Sequence, residues 1–242
     1  MNYENAGDLL PEELLKEVKK YAAGKLLYVP LDQEKKAWGE ASGYRQVLVR
    51  RNQIIYNKYL HGTSISELSK EYYLSQETVK RIVYSKKDTN KLDYYPTAQS
   101  AAAYSEAGML EEWIHTYLLF GRRNQAFSEG LRLMCRIYEG PHWLPLDLFK
   151  QTSGPGRGMK WQVDQGDFEQ KVMHCSKQIQ RGEEPPPLIA NYVQGTMELN
   201  SGNPLLEALH REGVSKYPVI VWMTEAEDYE QYLRHYAEYR TM

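Results

Sequence analysis

The sequence has few of the features that mark membrane, secreted or metal-dependent proteins. It contains only two cysteines, Cys135 and Cys175, without CxxC spacing, so neither a disulfide framework nor a cysteine-based metal site is expected. We interpret both as reduced thiols of a cytoplasmic protein. It has no run of about 18 apolar residues, and its first residues lack the pattern of a secretory signal, so no membrane association is expected.

Motifs of common catalytic sites are also missing from the sequence. Its six histidines show neither HxxxH nor HExxH spacing, and it has no GxSxG nucleophile and no P-loop. We therefore expect no metal site and assign no catalytic residue.

Positive charge is concentrated in one part of a chain whose formal net charge is −2. Residues 44–91 hold ten Lys or Arg against four Asp or Glu, a local net charge of +6, so the rest of the chain carries −8. A basic block in an otherwise acidic protein is typical of a module that contacts phosphates. A solvated lysine-rich face would have the same charge, so charge alone does not decide.

Apolar spacing predicts helices at 9–22, 44–60, 64–72 and 75–84, and a short strand at 26–30. The last two helices match the helix-turn-helix pattern: a small residue where the helices cross, a branched residue in the turn, an N-cap, and two inward positions. These are Ser69, Leu74, Ser75, Val79 and Ile82.

One position departs from this pattern. The turn residue four after Ser69 is usually glycine because its φ is positive, and here it is Tyr73, so a slightly different turn is expected. An ordinary helical hairpin without a DNA role is the alternative.

If this unit binds double-stranded DNA, its last helix lies in the major groove. The predicted contacts from that helix are Ser75, Gln76, Glu77, Thr78, Lys80 and Arg81, and the predicted phosphate contacts are Lys86, Lys87, Arg50 and Arg51. Because the basic charge ends near residue 91, DNA binding is expected to survive removal of everything after about Asp88.

Residues 1–87 resemble the Mor (middle operon regulator) family of bacterial transcription activators. The matching segments are Leu27-Tyr28-Val29-Pro30, Arg51-Asn52-Gln53-Ile54-Ile55 and Leu68-Ser69-Lys70-Glu71-Tyr72-Tyr73-Leu74-Ser75. The resemblance implies a homodimer whose interface is formed by the N-terminal helix and the strand at 26–29. A strand in so small a unit needs a partner to pair with.

Beyond residue 87 the pattern predicts a linker at 88–108, with a helical turn at its alanines, and then a domain at 109–242. Helices are expected at 109–120, 127–138, 167–181 and 205–211, and strands at 188–193, 197–199 and 217–223. Four tyrosines at helical spacing, Tyr229, Tyr232, Tyr236 and Tyr239, predict a terminal helix whose aromatic stripe packs inward. The expected fold class is α+β: a helical domain with one short strand, then a small mixed-sheet domain.

The second domain resembles the ParB/sulfiredoxin-like domain. The matching residues are Pro186-Pro187-Leu188-Ile189, the segment 201–209, Gly213 and Tyr217-Pro218-Val219-Ile220-Val221-Trp222. In that family the middle segment reads Asp-Gly-Asn-His-Arg, a glycine turn that opens a helix and holds phosphate. Here Ser201 replaces the Asp, and Pro204 and Leu205 replace the His-Arg pair. The resemblance leaves Gly202, Asn203 and Glu207 as candidate nucleotide-binding residues.

These observations favour a non-enzymatic, sequence-specific DNA-binding regulator without a cofactor, whose C-terminal domain mediates regulation or interaction. The alternative is a nucleotide hydrolase or phosphotransferase that uses a nucleotide with Mg²⁺. In that case another cation replaces the missing pair, and the candidates are Arg122, Arg123, Arg157 and Lys160. A third hypothesis treats both domains as protein-interaction modules.

Overall fold

A computed structural model describes residues 5–25, 44–85 and 91–239. The contacts divide the chain into two units, Met1–Gly43 and Tyr44–Met242. Within these ranges, no helix is long and apolar enough to cross a membrane.

The first unit contains two helices, α1 (Ala6–Leu9) and α2 (Glu12–Ala22). The helix predicted at 9–22 is therefore interrupted at Leu10 and Pro11 and continues from Glu12. No residue of α2 is buried, and the side chains of Leu14 and Tyr21 are 54% and 82% exposed. The strand predicted at 26–30 lies outside the described residues.

The second unit begins with three short helices, α3 (Tyr44–Leu60), α4 (Ile65–Glu71) and α5 (Gln76–Tyr84). Their bounds confirm the helices predicted from apolar spacing. Their small common core consists of buried apolar side chains: Ile55, Leu68, Val79, Ile82 and Val83.

The segment predicted as a linker at 88–108 requires a correction over its described part. It contains a helix, α6 (Ala98–Glu106), whose N-cap Thr97 accepts the backbone N–H of Ser100 at 3.2 Å. Ala101 and Tyr104 are fully buried. They pack with the next helix, α7 (Leu110–Thr116), which is followed by a π-helical turn at Tyr117–Gly121. The segment 91–108 therefore contributes buried side chains to the core.

A second correction concerns the helix predicted at 127–138. The helix α8 spans Gln125–Arg132, and strand β1 (Ile137–Pro145) begins soon after it. Tyr138 leaves the helical pattern because it pairs with Trp222 in the sheet.

A five-stranded mixed sheet forms the centre of the unit. Besides β1 it contains β2 (Phe149–Gln151), β5 (Leu188–Val193), β6 (Thr196–Ser201) and β7 (Lys216–Met223), in the order β1-β7-β5-β6-β2. Two further strands, β3 (Ser153–Gly154) and β4 (Trp161–Gln162), form a separate two-stranded sheet. The central strands β5 and β7 are parallel, and β5 is antiparallel to β6. The predicted strands at 188–193 and 217–223 and the returning strand at 197–199 are confirmed.

Helices cover the sheet on both faces because the central strands are apolar on both faces. Ile189 and Ile220 pack against α6 and α7. On the opposite face, the residues that flank these two in sequence are Leu188, Ala190, Val219 and Val221. They pack with the helices α9 (Gln165–Gln180), α10 (Asn203–Arg211) and α11 (Ala226–His235). The tyrosine stripe at the C-terminal end packs into that core as predicted, with Tyr232 fully buried. The fold class is α+β.

A buried polar network joins α3 to α6 and α7. The side-chain amide of Gln53 donates to the Tyr104 hydroxyl at 2.9 Å and to the Leu92 carbonyl at 2.8 Å. One turn along, Asn57 donates to the Thr116 hydroxyl at 3.0 Å and accepts from Tyr104 at 3.1 Å. A fragment ending at Asp88 would leave both amides without these partners, so the expectation that the basic unit functions alone conflicts with the packing of α3.

Replacement of Asn57 tests this junction. We expect Asn57→Ala to lower the free energy of unfolding by about 1–3 kcal/mol, because it leaves buried hydroxyl groups without their partner. Gln46→Ala, at an exposed position of the same helix, is the matched control and should change stability by less than about 0.5 kcal/mol. Urea unfolding followed by circular dichroism measures both, and equal stabilities for the two variants would contradict the role of the network.

Candidate nucleic-acid interface

Two capped helices build the candidate interface. Ser64 caps α4 in a reciprocal capping box with Glu67, and these hydrogen bonds hold the pKa of Glu67 below its ordinary value. Ser75 caps α5 by accepting the backbone N–H of Thr78 at 3.2 Å. The N-cap predicted at Ser75 is confirmed. Both caps satisfy backbone donors that would otherwise lack partners at the start of each helix.

The turn between α4 and α5 is held by Ser69 at the helix crossing. Its backbone carbonyl accepts the N–H of Leu74 at 3.0 Å, and its hydroxyl donates to the Leu74 carbonyl at 2.5 Å. A larger side chain at this position would displace the turn.

Tyr73 has the positive φ that glycine usually provides at this position, although the tyrosine had indicated a slightly different turn. Its φ is 54°, and its side chain is 95% exposed. The turn therefore keeps the usual backbone shape without glycine. L-residues are disfavoured in this conformation by roughly 1–2 kcal/mol, and no buried contact of the exposed ring offsets this.

The predicted contact residues of α5 are not equally available. Lys80 donates to Glu77 at 2.8 Å, which raises the pKa of Lys80, so the charges of this pair largely cancel. Thr78 forms a hydroxyl–hydroxyl hydrogen bond with Ser75 at 2.9 Å. Gln76 and Arg81 are both exposed and take part in no ion pair found within the described ranges. They are the side chains best placed to meet a ligand on this face.

The structure places the predicted phosphate contacts Arg50 and Arg51 in different surroundings. Arg51 lies one helical turn before Ile55, on the side of α3 that faces α4 and α5, and donates to Asn52 at 3.0 Å. Arg50 instead lies beside Gly108 and Met109, where it lines a small cleft next to the α6–α7 turn. Lys86 and Lys87 fall outside the described residues.

Sequence reasoning missed the contribution of Lys91. Its ammonium group donates to the carbonyls of Val83 and Ser85 at 3.2 and 2.9 Å and lies 4.8 Å from the centroid of the Tyr56 ring. A cation at this position satisfies terminal carbonyls and complements the dipole of α5. The only sequence signal was its place in the basic block.

The candidate nucleotide-binding residues contact other parts of the chain. Gly202 has a φ of 102°, and a Cβ there would lie 2.4 Å from a methyl group of Leu188. Asn203 is 4% exposed and accepts the backbone N–H groups of Thr152 and Ser153 at 3.0 and 3.2 Å. Glu207 accepts from Arg211 at 2.9 Å.

The replaced cation positions also have structural roles. Pro204 stands in the first turn of α10, where its missing N–H costs no helical hydrogen bond. Leu205 is buried in the main core. One candidate substitute lies close to the loop: the side chain of Tyr117 lies near both Ser201 and Arg122, and the Arg122 guanidinium is 5.9 Å from the centroid of its ring. Arg122 is thus the cation that the fold brings near the glycine turn.

Comparison with known proteins adds two similarities. The chain is 44% identical over 87 residues to the Bacillus subtilis (strain 168) protein described as "Uncharacterized protein YraL", a match that spans 36% of this chain and all of that protein. The crystal structure of sulfiredoxin from Arabidopsis thaliana is similar over 40% of this chain and 98% of that one, with 19% identity and a TM-score of 0.28, a value too low to support a functional argument. No protein-family model matches the chain.

Replacement of Tyr73 tests the strain in the turn. Tyr73→Gly should raise the free energy of unfolding by a few tenths to about 1 kcal/mol, because relief of the left-handed conformation outweighs the entropy of glycine. Gly62→Ala is the control in the opposite direction: its φ is +95° with open space around it, so strain alone should lower stability. Chemical denaturation compares them, and destabilisation by Tyr73→Gly would contradict this account.

Proposed function

We propose that this chain, which belongs to the family of the Bacillus subtilis protein YraL, is a sequence-specific DNA-binding protein that regulates transcription. In this proposal α4 and α5 form a helix-turn-helix, and α5 enters the major groove. The observation that carries it is the capped α5, which presents Gln76 and Arg81 outward. This helix belongs to the segment 44–91, whose net charge is +6.

The chemistry of the outward side chains supports a division of roles. Arg81 can bind guanine through two parallel hydrogen bonds, and Gln76 can bind adenine in the same way. Lys80 acts at phosphates, where its pairing with Glu77 weakens its contribution. Arg51 is the phosphate contact on α3 in this arrangement, whereas Arg50 lies beside the α6–α7 turn and is assigned no phosphate.

We further infer that the DNA-binding form is a homodimer. The amphipathic helix α2 leaves Leu14 and Tyr21 exposed among the residues that the structure describes. A second copy with the same apolar face would bury both sets of side chains. Two copies imply a DNA site with two-fold related halves.

Charge reversal on α5 tests DNA binding. DNA fragments retained by the purified protein are first sequenced to identify the preferred site. Lys80→Glu with Arg81→Glu should then weaken binding to this site by at least about tenfold and reduce the salt dependence by about one phosphate contact, that of Lys80. The control is Lys171→Glu with Lys177→Glu, an equal charge change on exposed positions of α9. Equal affinities of the two variants would refute the docking of α5.

A nucleotide-dependent enzyme is the second candidate function, favoured by the position of Arg122 near Ser201 and the glycine turn. Against it, Asn203 and Glu207 already form hydrogen bonds with other residues of the chain, and Leu205 is buried in the core. The proposed regulator therefore has no catalytic residue.

Calorimetry with ATP and CTP in the presence of Mg²⁺ separates the two functions. The regulator hypothesis expects no heat of binding from either nucleotide. Tight binding that is lost in Arg122→Ala and retained in Arg181→Ala, a distant exposed control, would establish the nucleotide site instead. Arg122 is the appropriate position because its side chain is exposed, whereas changes at Gly202 or Asn203 would disturb the fold.

A further inference from the structure

A cavity lies at the carboxyl ends of the two parallel central strands. Leu188, at the amino end of β5, contacts Gly202, whereas Asn191, Tyr192 and Val193 at the other end of the strand line this cavity. It is therefore separate from the glycine turn. Its volume is about 370 Å³, enough for a small organic molecule. The carboxyl edge of adjacent parallel strands is a common place for ligands in open sheets.

Arg136 supplies a fixed positive group in the wall of the cavity. Its guanidinium lies 4.9 Å from the Trp222 ring centroid, and its Nη1 donates to the Thr224 hydroxyl. The Nε atom is buried and, among the residues that the structure describes, has no hydrogen-bond partner. A guanidinium anchored at Trp222 and Thr224 offers its remaining Nη donors to a carboxylate, and the Nε, which has no partner within the described ranges, shows that those residues do not satisfy the group.

Another part of the wall is acidic. Asp228 is 8% exposed, and its Oδ1 accepts the backbone N–H of Gln194 at 2.9 Å, which fixes its orientation. Glu225 lines the same cavity and is exposed. Neither carboxylate forms a salt bridge within the described ranges. A buried carboxylate without a cationic partner favours a positively charged ligand group.

We propose that this cavity binds a small zwitterion, with its carboxylate on Arg136 and its ammonium group on Asp228 and Glu225. Free α-amino acids are the chemical class that carries both groups at short separation. The proposal is independent of DNA binding. Trp222 contacts both Arg136 and the core packed against α6 and α7, so an occupant would also touch the layer that holds α3.

Calorimetry on the full chain tests the proposal. The probes are the proteinogenic amino acids, first as a mixture and then singly. For each one that binds, the N-acetyl derivative, which lacks the ammonium group, and the amide, which lacks the carboxylate, are compared with it. We expect both derivatives to bind at least about tenfold more weakly.

Substitutions assign the two charges. Arg136→Gln and Asp228→Asn should each weaken binding by about tenfold or more, and Asp228→Asn still accepts the Gln194 hydrogen bond. Arg136→Lys, which keeps the charge but loses the planar donors, should give an intermediate affinity. Arg181→Gln and Asp147→Asn are the controls, since both are exposed and outside the cavity.

Two results would overturn the proposal: no amino acid binds the wild-type chain, or a bound amino acid retains its affinity in both Arg136→Gln and Asp228→Asn. Thermal unfolding monitored by circular dichroism verifies that each variant is folded. If Arg136→Gln does not fold, the pair formed by Arg136→Lys and Asp228→Asn decides, and unchanged affinity in both would also overturn it.

Discussion

The hydrogen bonds of Gln53 and Asn57 set the architecture of the larger unit, because two amides on one helix can be buried only where partners of the right geometry surround them. Those partners come from Leu92, Tyr104 and Thr116, all distant in sequence. The three basic helices and the layer that covers the sheet are consequently one packed body. Any ligand that shifts α6 or α7 would act on α3 through these bonds, which gives the proposed regulator a physical route for control.

The packing around the sheet explains why the residues of the glycine turn are engaged by contacts within the chain. Gly202 is required because a Cβ would overlap Leu188, and Asn203 holds the segment at Thr152 and Ser153. Leu205 is buried in the core, and an arginine that binds a ligand could not occupy this apolar position. The same backbone motif therefore serves stability here, and the polar cavity that remains at this sheet lies at the opposite end of β5, around Arg136.

The locally determined elements were predictable. Apolar spacing placed α3, α4 and α5, and the spacing from Ser69 predicted the cap at Ser75. The tyrosine at position 73 indicated a slightly different turn, but its φ has the positive sign usual at that position. Strand β1 was missed because it contains Gly140 and Pro141, which usually argue against a strand, and edge strands tolerate proline at an irregularity such as the one between Glu139 and His142. Helix α6 was predicted only as a helical turn at the alanines of a linker, because alanines carry little apolar signal, while its stability comes from a cap and from buried packing.

Residues close together in the chain account for the helical spacing, the caps, the apolar central strands and the concentration of positive charge at 44–91. The pair formed by Lys80 and Glu77 is of the same kind, because the two residues stand three apart on one helix. The packing of distant elements settled the rest. It moved Arg50 to the α6–α7 turn, brought Arg122 near Ser201, and placed Arg136 and Asp228 in the wall of one cavity. These arrangements follow from strand order and helix packing, which join residues far apart in the chain, and no local pattern encodes them.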